Sequence, residues 1–264
     1  MQKFKKIYVV KIGGEILLNK NAISSIAADI AWLSKFLNIV VVHGGGKKIS
    51  EVMGSLGKRQ KFIDGLRVTD SYTIDIVVNA LSKINTSFIE TINKYGGNAI
   101  GLSGGNLFLA KKIPDLGFVG EVEKVNVKIL RSLLDQGYIP IITPVGMDKE
   151  GNVLNINADI AVGTLAAALK TEKLIIISNT GLLYNLYDKK SIIEELSLEE
   201  AKKELENKRF ICDGMLPKLR ACVHALENSV KEVYITGHEE HVILRILTGE
   251  DVGTKIRAIS TRIS

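Results

Sequence analysis

Cysteine is scarce: the chain of 264 residues carries 2, Cys212 and Cys222. That excludes a disulfide framework and a cysteine-built metal site. Cys222 falls on an apolar helical stripe and reads as a buried thiol. Aromatic residues are only 6% of the chain, and the lysines behind its net charge of +6 are scattered. Nucleic acid would call for stacking platforms or a clustered basic stripe, and neither is present. The surplus charge still favours small anions by long-range attraction. There is no apolar run of about eighteen residues and no signal peptide, so the expected compartment is the cytoplasm. The Asn85-Thr86-Ser87 sequon then has no glycosylation meaning.

Familiar catalytic signatures are missing too. There is no Gly-x-x-x-x-Gly-Lys-Ser/Thr loop, which argues against a P-loop enzyme, and no Gly-x-Gly-x-x-Gly dinucleotide fingerprint. No serine or cysteine sits in a nucleophile elbow. His238-Glu239-Glu240-His241 lacks the His-Glu-x-x-His spacing of a zinc site and reads as a polar turn.

What is present is strand and helix in alternation. Asn38-Ile39-Val40-Val41-Val42 is a continuous β-branched run of the kind a strand covered on both faces needs. It ends in His43-Gly44-Gly45-Gly46, and Ile49, Val52, Met53 and Leu56 then follow at helical spacing. Helix N-termini carry unpaired N–H groups, which suit carboxylate or phosphate. A second glycine turn, Lys11-Ile12-Gly13-Gly14, follows the strand Ile7-Tyr8-Val9-Val10. A third, Ser178-Asn179-Thr180-Gly181, follows the apolar run 174–177.

Further helices are expected over 22–36, 71–95, 126–137, 158–169, 198–205 and 215–227. In the long one, Ile74, Val77, Val78, Leu81, Ile84 and Phe88 should face inward. Ser197 and Glu200 make a capping box. Residues 107–112 and 118–125 read as hairpin strands. Repeating strand–helix units imply an α/β fold, a three-layer αβα sandwich around a mainly parallel sheet. Ligands in such sheets bind at the carboxyl ends of strands, where the glycine turns sit. A soft boundary near residue 170 divides the chain into lobes 1–170 and 171–264.

Several polar residues have two readings each. Lys11, just past a buried strand, is either a snorkelling strand-end lysine or an anion ligand. Lys218 lies in the first turns of a helix, the electrostatically wrong end, a conflict that an anion would resolve; otherwise it is an exposed helix lysine. Asn155, Asn157 and Asp159 alternate with apolar residues and could share one side. Capping explains one such residue, not three. Arg67, in Gly65-Leu66-Arg67-Val68-Thr69-Asp70, offers a fork for a carboxylate, while Thr69 or Asp70 reads as a plain helix cap. His43 is either a base or an anchor for its turn.

Taken together in this order, the motifs around Lys11, His43, Arg67, Asn155 and Lys218 resemble the amino-acid kinase family, in its branch acting on N-acetylglutamate. Residues 116–122 are similar to that branch's substrate-lid hairpin, and the match runs from about residue 7 to Gly253-Thr254-Lys255-Ile256. The resemblance implies ATP-dependent phosphorylation of the γ-carboxylate of N-acetyl-L-glutamate in arginine biosynthesis. By that carry-over Lys11 and Lys218 stabilise the transferring phosphoryl group and Asp159 positions both. Gly44, Gly45, Arg67, Asn155 and Asn157 hold the acylated amino acid, with Arg67 on its α-carboxylate. Gly13, Gly14 and Gly46 donate N–H groups to phosphate. ATP lies against Asn179, Thr180, Gly181, Leu182, Leu183, Phe210, Ile211 and Cys212, with Mg2+ between its phosphates. Lobe 1–170 binds substrate and dimerises, and 171–264 binds ATP. A homodimer not inhibited by arginine is expected. The alternatives are a kinase for carrier-linked aminoadipate or glutamate, and a non-catalytic ligand sensor on the same fold.

Overall fold

The computed structural model describes residues 5–183, 191–207 and 215–258. Its frame is an eight-stranded sheet whose strands lie in the order Glu195–Ser197, Thr254–Arg257, Glu232–Thr236, Lys173–Ile177, Ile7–Ile12, Asn38–His43, Ile139–Thr143, Ala99–Ser103. Pairing is parallel except between Glu232–Thr236 and Thr254–Arg257. From the strand Ile7–Ile12 the chain builds outward in both directions, so the order reverses there and leaves a crevice at the strand ends.

The unbroken apolar runs follow from the pleat. Side chains alternate between faces, and each face has its own core. Val9, Val40, Val42, Leu174 and Ile176 join one cluster with the helices Ala158–Leu169 and Leu216–Glu227. Val10, Ile39, Val41, Ile175 and Ile177 join another with Lys20–Leu33, Ser71–Lys94 and Val242–Thr248. Each fully buried aliphatic is worth roughly 1.5–3 kcal/mol relative to exposure. A charge at Val10 would lose that and face a dry interior.

Helix ends follow local chemistry. Asp70 accepts from Thr73 N at 2.7 Å and starts the long helix. Ser197 and Glu200 form the expected box, with bonds of 2.8 and 3.2 Å. Val78 breaks the expected inward stripe: it is exposed, and buried Asn85 takes an inward place instead. The hairpin Phe108–Lys112 and Val119–Val125 closes with Val145–Met147 and Val153–Ile156 into a small barrel that the sequence pattern did not suggest. Among the described residues no helix is long and apolar enough to cross a membrane.

Candidate active site

Three glycine turns stand side by side at the crevice, because the strands that carry them are neighbours in the sheet. Gly14 and the Gly45-Gly46 segment approach so closely that a Cβ on Gly14 would lie 3.0 Å from Gly46 N. A side chain there would cover the amides. Two amides are already committed: Gly13 N donates to Ile177 O at 2.9 Å and Gly44 N to Ile12 O at 2.8 Å. Gly13 therefore braces the turn rather than offering its N–H to phosphate, a correction to the sequence reading. The helix Gly46–Ser55 begins at the last glycine of the run.

Lys11 and Lys218 converge on one carboxylate. Lys11 Nζ lies 2.9 Å from Asp159 Oδ1, and Lys218 Nζ lies 3.5 Å from Asp159 Oδ2. Lys11 is 5% exposed and Asp159 7%, so the snorkelling reading of Lys11 does not hold. Burial pulls the Lys11 pKa below the ordinary lysine value; Asp159 opposes that shift and Lys218 adds to it. Burial works against the charged Asp159 carboxylate, but Lys11 and Lys218 outweigh it and hold its pKa below the usual range. Two cations on one anion leave a net positive, largely buried site, where charge acts at lower effective dielectric than in water.

A cavity of about 210 Å3 opens between these groups, lined by Lys11, Gly14, Gly44, Gly45, Gly46, Arg67, Asn155, Asn157 and Asp159. Alternation in the strand Val153–Ile156 buries Leu154 and Ile156 and turns Asn155 toward the cavity, as expected. Asn157 also caps the helix Ala158–Leu169, accepting from Asp159 N at 2.8 Å and Ile160 N at 3.2 Å. Arg67 is held in place: Nη1 donates to Gln60 Oε1 at 2.6 Å, and Nη2 to Ser50 Oγ at 2.9 Å and Gly46 O at 3.1 Å. Thr69 links Arg67 to Asn155. Its hydroxyl donates to Arg67 O at 2.7 Å and accepts from Asn155 Nδ2 at 3.2 Å. Ser50 and Gln60 were missed from the sequence, where an isolated polar residue carries no signal of its partner; Thr69, read as a possible helix cap, leaves that role to Asp70.

On the opposite side of Ile7–Ile12, Asn179 Nδ2 donates to Glu15, joining two of the turns. Gly181 packs against Thr254, and Leu182 N donates to Thr254 Oγ1 at 2.8 Å. Leu182 belongs to the buried core, and Leu183 is buried as well. Phe210, Ile211 and Cys212 lie outside the described residues. Cys222 is buried, and burial pushes its thiol pKa up, as expected of an inert packing group. Among the described residues no three His, Cys, Asp or Glu side chains cluster as metal ligands. A larger groove of about 1080 Å3 runs along the long helix Ser71–Lys94, lined by Leu17, Leu18, Ile23, Tyr72, Ile76 and Tyr95 among others. Neither Lys11 nor Lys218 lines it.

The chain is similar to known proteins over most of its length. The chain is 44% identical over 268 residues to the acetylglutamate kinase of Caldanaerobacter subterraneus subsp. tengcongensis, covering 97% of this chain and 89% of that one. It superposes on a crystal structure from Streptococcus mutans UA159 with a TM-score of 0.82 at 28% identity, over 96% of this chain and 99% of that one. The N-acetylglutamate synthase of Neisseria gonorrhoeae, in complex with coenzyme A and N-acetyl-glutamate, shares the fold at a TM-score of 0.85 and 24% identity; the match covers 97% of this chain and 60% of the synthase. The family model for amino acid kinases matches residues 6–237, and the chain belongs to the amino acid kinase family.

Proposed function

We propose that this protein is an acetylglutamate kinase, transferring the γ-phosphoryl group of ATP to the γ-carboxylate of N-acetyl-L-glutamate in arginine biosynthesis. The observation that carries the reading is the pair of ammonium groups, one buried and one partly buried, on Asp159 beside a small cavity edged with bare peptide. Phosphoryl transfer asks for positioning and charge stabilisation more than for a covalent nucleophile. A carboxylate oxygen of the substrate attacks the γ-phosphorus, the bond to the β-phosphate oxygen breaks, and ADP leaves. That carboxylate is already ionised near neutral pH, so no general base is needed. Lys11 and Lys218 take up charge on the migrating group, and Asp159 keeps them from drifting apart. Arg67 and Asn155 hold the acylated amino acid.

Peptide N–H donors and two cations suit a polyphosphate, so the residues fit ATP. With Lys11 and Lys218 on the two oxygens of Asp159, Mg2+ would ride on the phosphates and, when bound, neutralise part of their charge. Residues 1–170 serve as the substrate lobe and 171–264 as the nucleotide lobe, with ATP against Asn179, Thr180 and Gly181. The apolar groove along Ser71–Lys94 supports a homodimer, which sedimentation of the purified protein tests.

The functional test is ADP release measured with N-acetyl-L-glutamate, N-succinyl-L-glutamate and carrier-bound substrates in parallel. Turnover highest on the first supports the reading. Turnover confined to a carrier-bound substrate, or none on any, overturns it.

A further inference from the structure

His43 is fully buried beside the substrate cavity, and the phosphoryl transfer above has no use for it as a base. Its surroundings fix its hydrogens. Asn85 Nδ2 lies 3.0 Å from Ile141 O, which can only accept, so the amino group of Asn85 faces that carbonyl. The same amino group lies 3.0 Å from His43 Nε2. Nε2 must then be the bare, accepting nitrogen. Nδ1 carries the hydrogen and donates it to Gly44 O, 3.0 Å away. Burial, against a weaker pull from the Gly44 bond, moves the His43 pKa down to about 4, so the ring is neutral at physiological pH.

The Gly44 carbonyl belongs to the same planar peptide unit as the Gly45 N–H, and in a trans peptide the two point in opposite directions. We infer that Asn85 and His43 are positioning residues that hold the Gly44–Gly45 peptide in one orientation and thereby aim the Gly45 N–H into the substrate cavity. The edge strand leaves space for the Asn85 amide. A Cβ on Gly101 would stand 2.5 Å from Asn85 Oδ1, so the bare glycine makes room for the amide. The long helix, the strand Ile139–Thr143 and the substrate turn are thus joined through two side chains. The inference rests on the acetylglutamate kinase reading only for the ligand that the Gly45 amide serves.

The first test uses the unmodified chain. Long-range 15N–1H NMR of His43 should show Nδ1 protonated and Nε2 bare, and an Nε2-protonated ring overturns the proposal. The second is kinetic. His43→Asn keeps an N–H near the Nδ1 position and should hold the KM for N-acetylglutamate within about threefold of the parent. His43→Leu and Asn85→Leu should raise it by about tenfold or more, with the KM for ATP unchanged, in line with an unmade buried hydrogen bond. A folded His43→Leu protein with the parent KM overturns the proposal, and so does a His43→Asn protein no better than His43→Leu. If the parent itself lacks turnover on N-acetylglutamate, the functional reading alone fails, and the NMR tautomer still decides the relay.

Discussion

Gly163 and Ala221 meet where the helices Ala158–Leu169 and Leu216–Glu227 press together: a Cβ on Gly163 would lie 2.8 Å from Ala221 O and 3.0 Å from its Cα and Cβ. The contact sits one turn below Asp159 on one helix and one turn below Lys218 on the other. It therefore sets how near the two helices, and the ion pair at their ends, can come. Two effects of Gly163→Ala oppose each other. Replacing an interior helical glycine with alanine favours the helix by about 1 kcal/mol. The added methyl pushes two backbones apart by a few tenths of an ångström. Packing should win: Tm falls, and kcat drops about tenfold with little change in the KM for N-acetylglutamate. Thermal melts with steady-state kinetics check this, and a raised Tm with parental kcat would refute it.

Loss of a cation from the centre should be felt in the chemical step. Lys218→Ala is expected to lower kcat by about a hundredfold or more, as when a transition-state charge stabiliser is removed. Asp159→Asn leaves two ammonium groups facing each other without their counter-ion, and breaking a buried pair costs about 3–5 kcal/mol. It also removes the influence that props up the Lys11 pKa against burial. Lys11 acts while protonated, so in a folded Asp159→Asn protein the alkaline limb of the kcat profile moves to lower pH. A limb at the parental position would contradict the role given to Asp159.

Arg67→Lys separates charge from shape. Gln60, Ser50 and the Gly46 carbonyl hold separate hydrogens of the guanidinium fork, and an ammonium cannot meet all three in that plane. The KM for N-acetylglutamate should rise at least about tenfold, with the KM for ATP unchanged. Initial-rate kinetics with each substrate varied in turn give the answer, and an equal rise in both KM values would move Arg67 out of the substrate site.

Asp29 caps the helix Val242–Thr248 from across the structure. Its Oδ2 accepts from Ile243 N at 3.2 Å and Leu244 N at 3.3 Å, while its Oδ1 lies 2.7 Å from His241 Nδ1. Asp29→Ala should cost about 1–2 kcal/mol as a lost cap, or roughly 2–8 °C in Tm. The bond to Asp29 and its charge raise the His241 pKa above the ordinary histidine value. A raised folded-state pKa gives stability that is complete below the unfolded value near 6.5 and fades as pH climbs past it. Melts from pH 6 upward should show a loss in the parent that His241→Gln lacks. Parallel curves would discard the linkage.

Much of this was legible in the order of residues. Lys11 stood at a strand end and Lys218 in the first turns of a helix, where a cation is out of place unless something there needs it. Asn155 could be read from strict alternation. The small barrel could not: Val145–Met147 and Val153–Ile156 are too short to show a period, and their partners lie across turns and loops. Asn85 and Asp29 look like ordinary polar positions on amphipathic helices, and only folding reveals that each reaches a backbone far along the chain. Gly13 was misread as a phosphate donor because a glycine turn does not announce which of its amides a neighbouring strand has already taken.

The strand bearing Lys11 is bonded over five residue pairs, Tyr8 to Ile12, to the strand that leads into the Asn179 turn. No slack tether separates the two halves of the crevice. The spacing between the Lys11 side and the Asn179 side of the crevice is therefore set by the sheet's own rungs, a fixed ruler between the two.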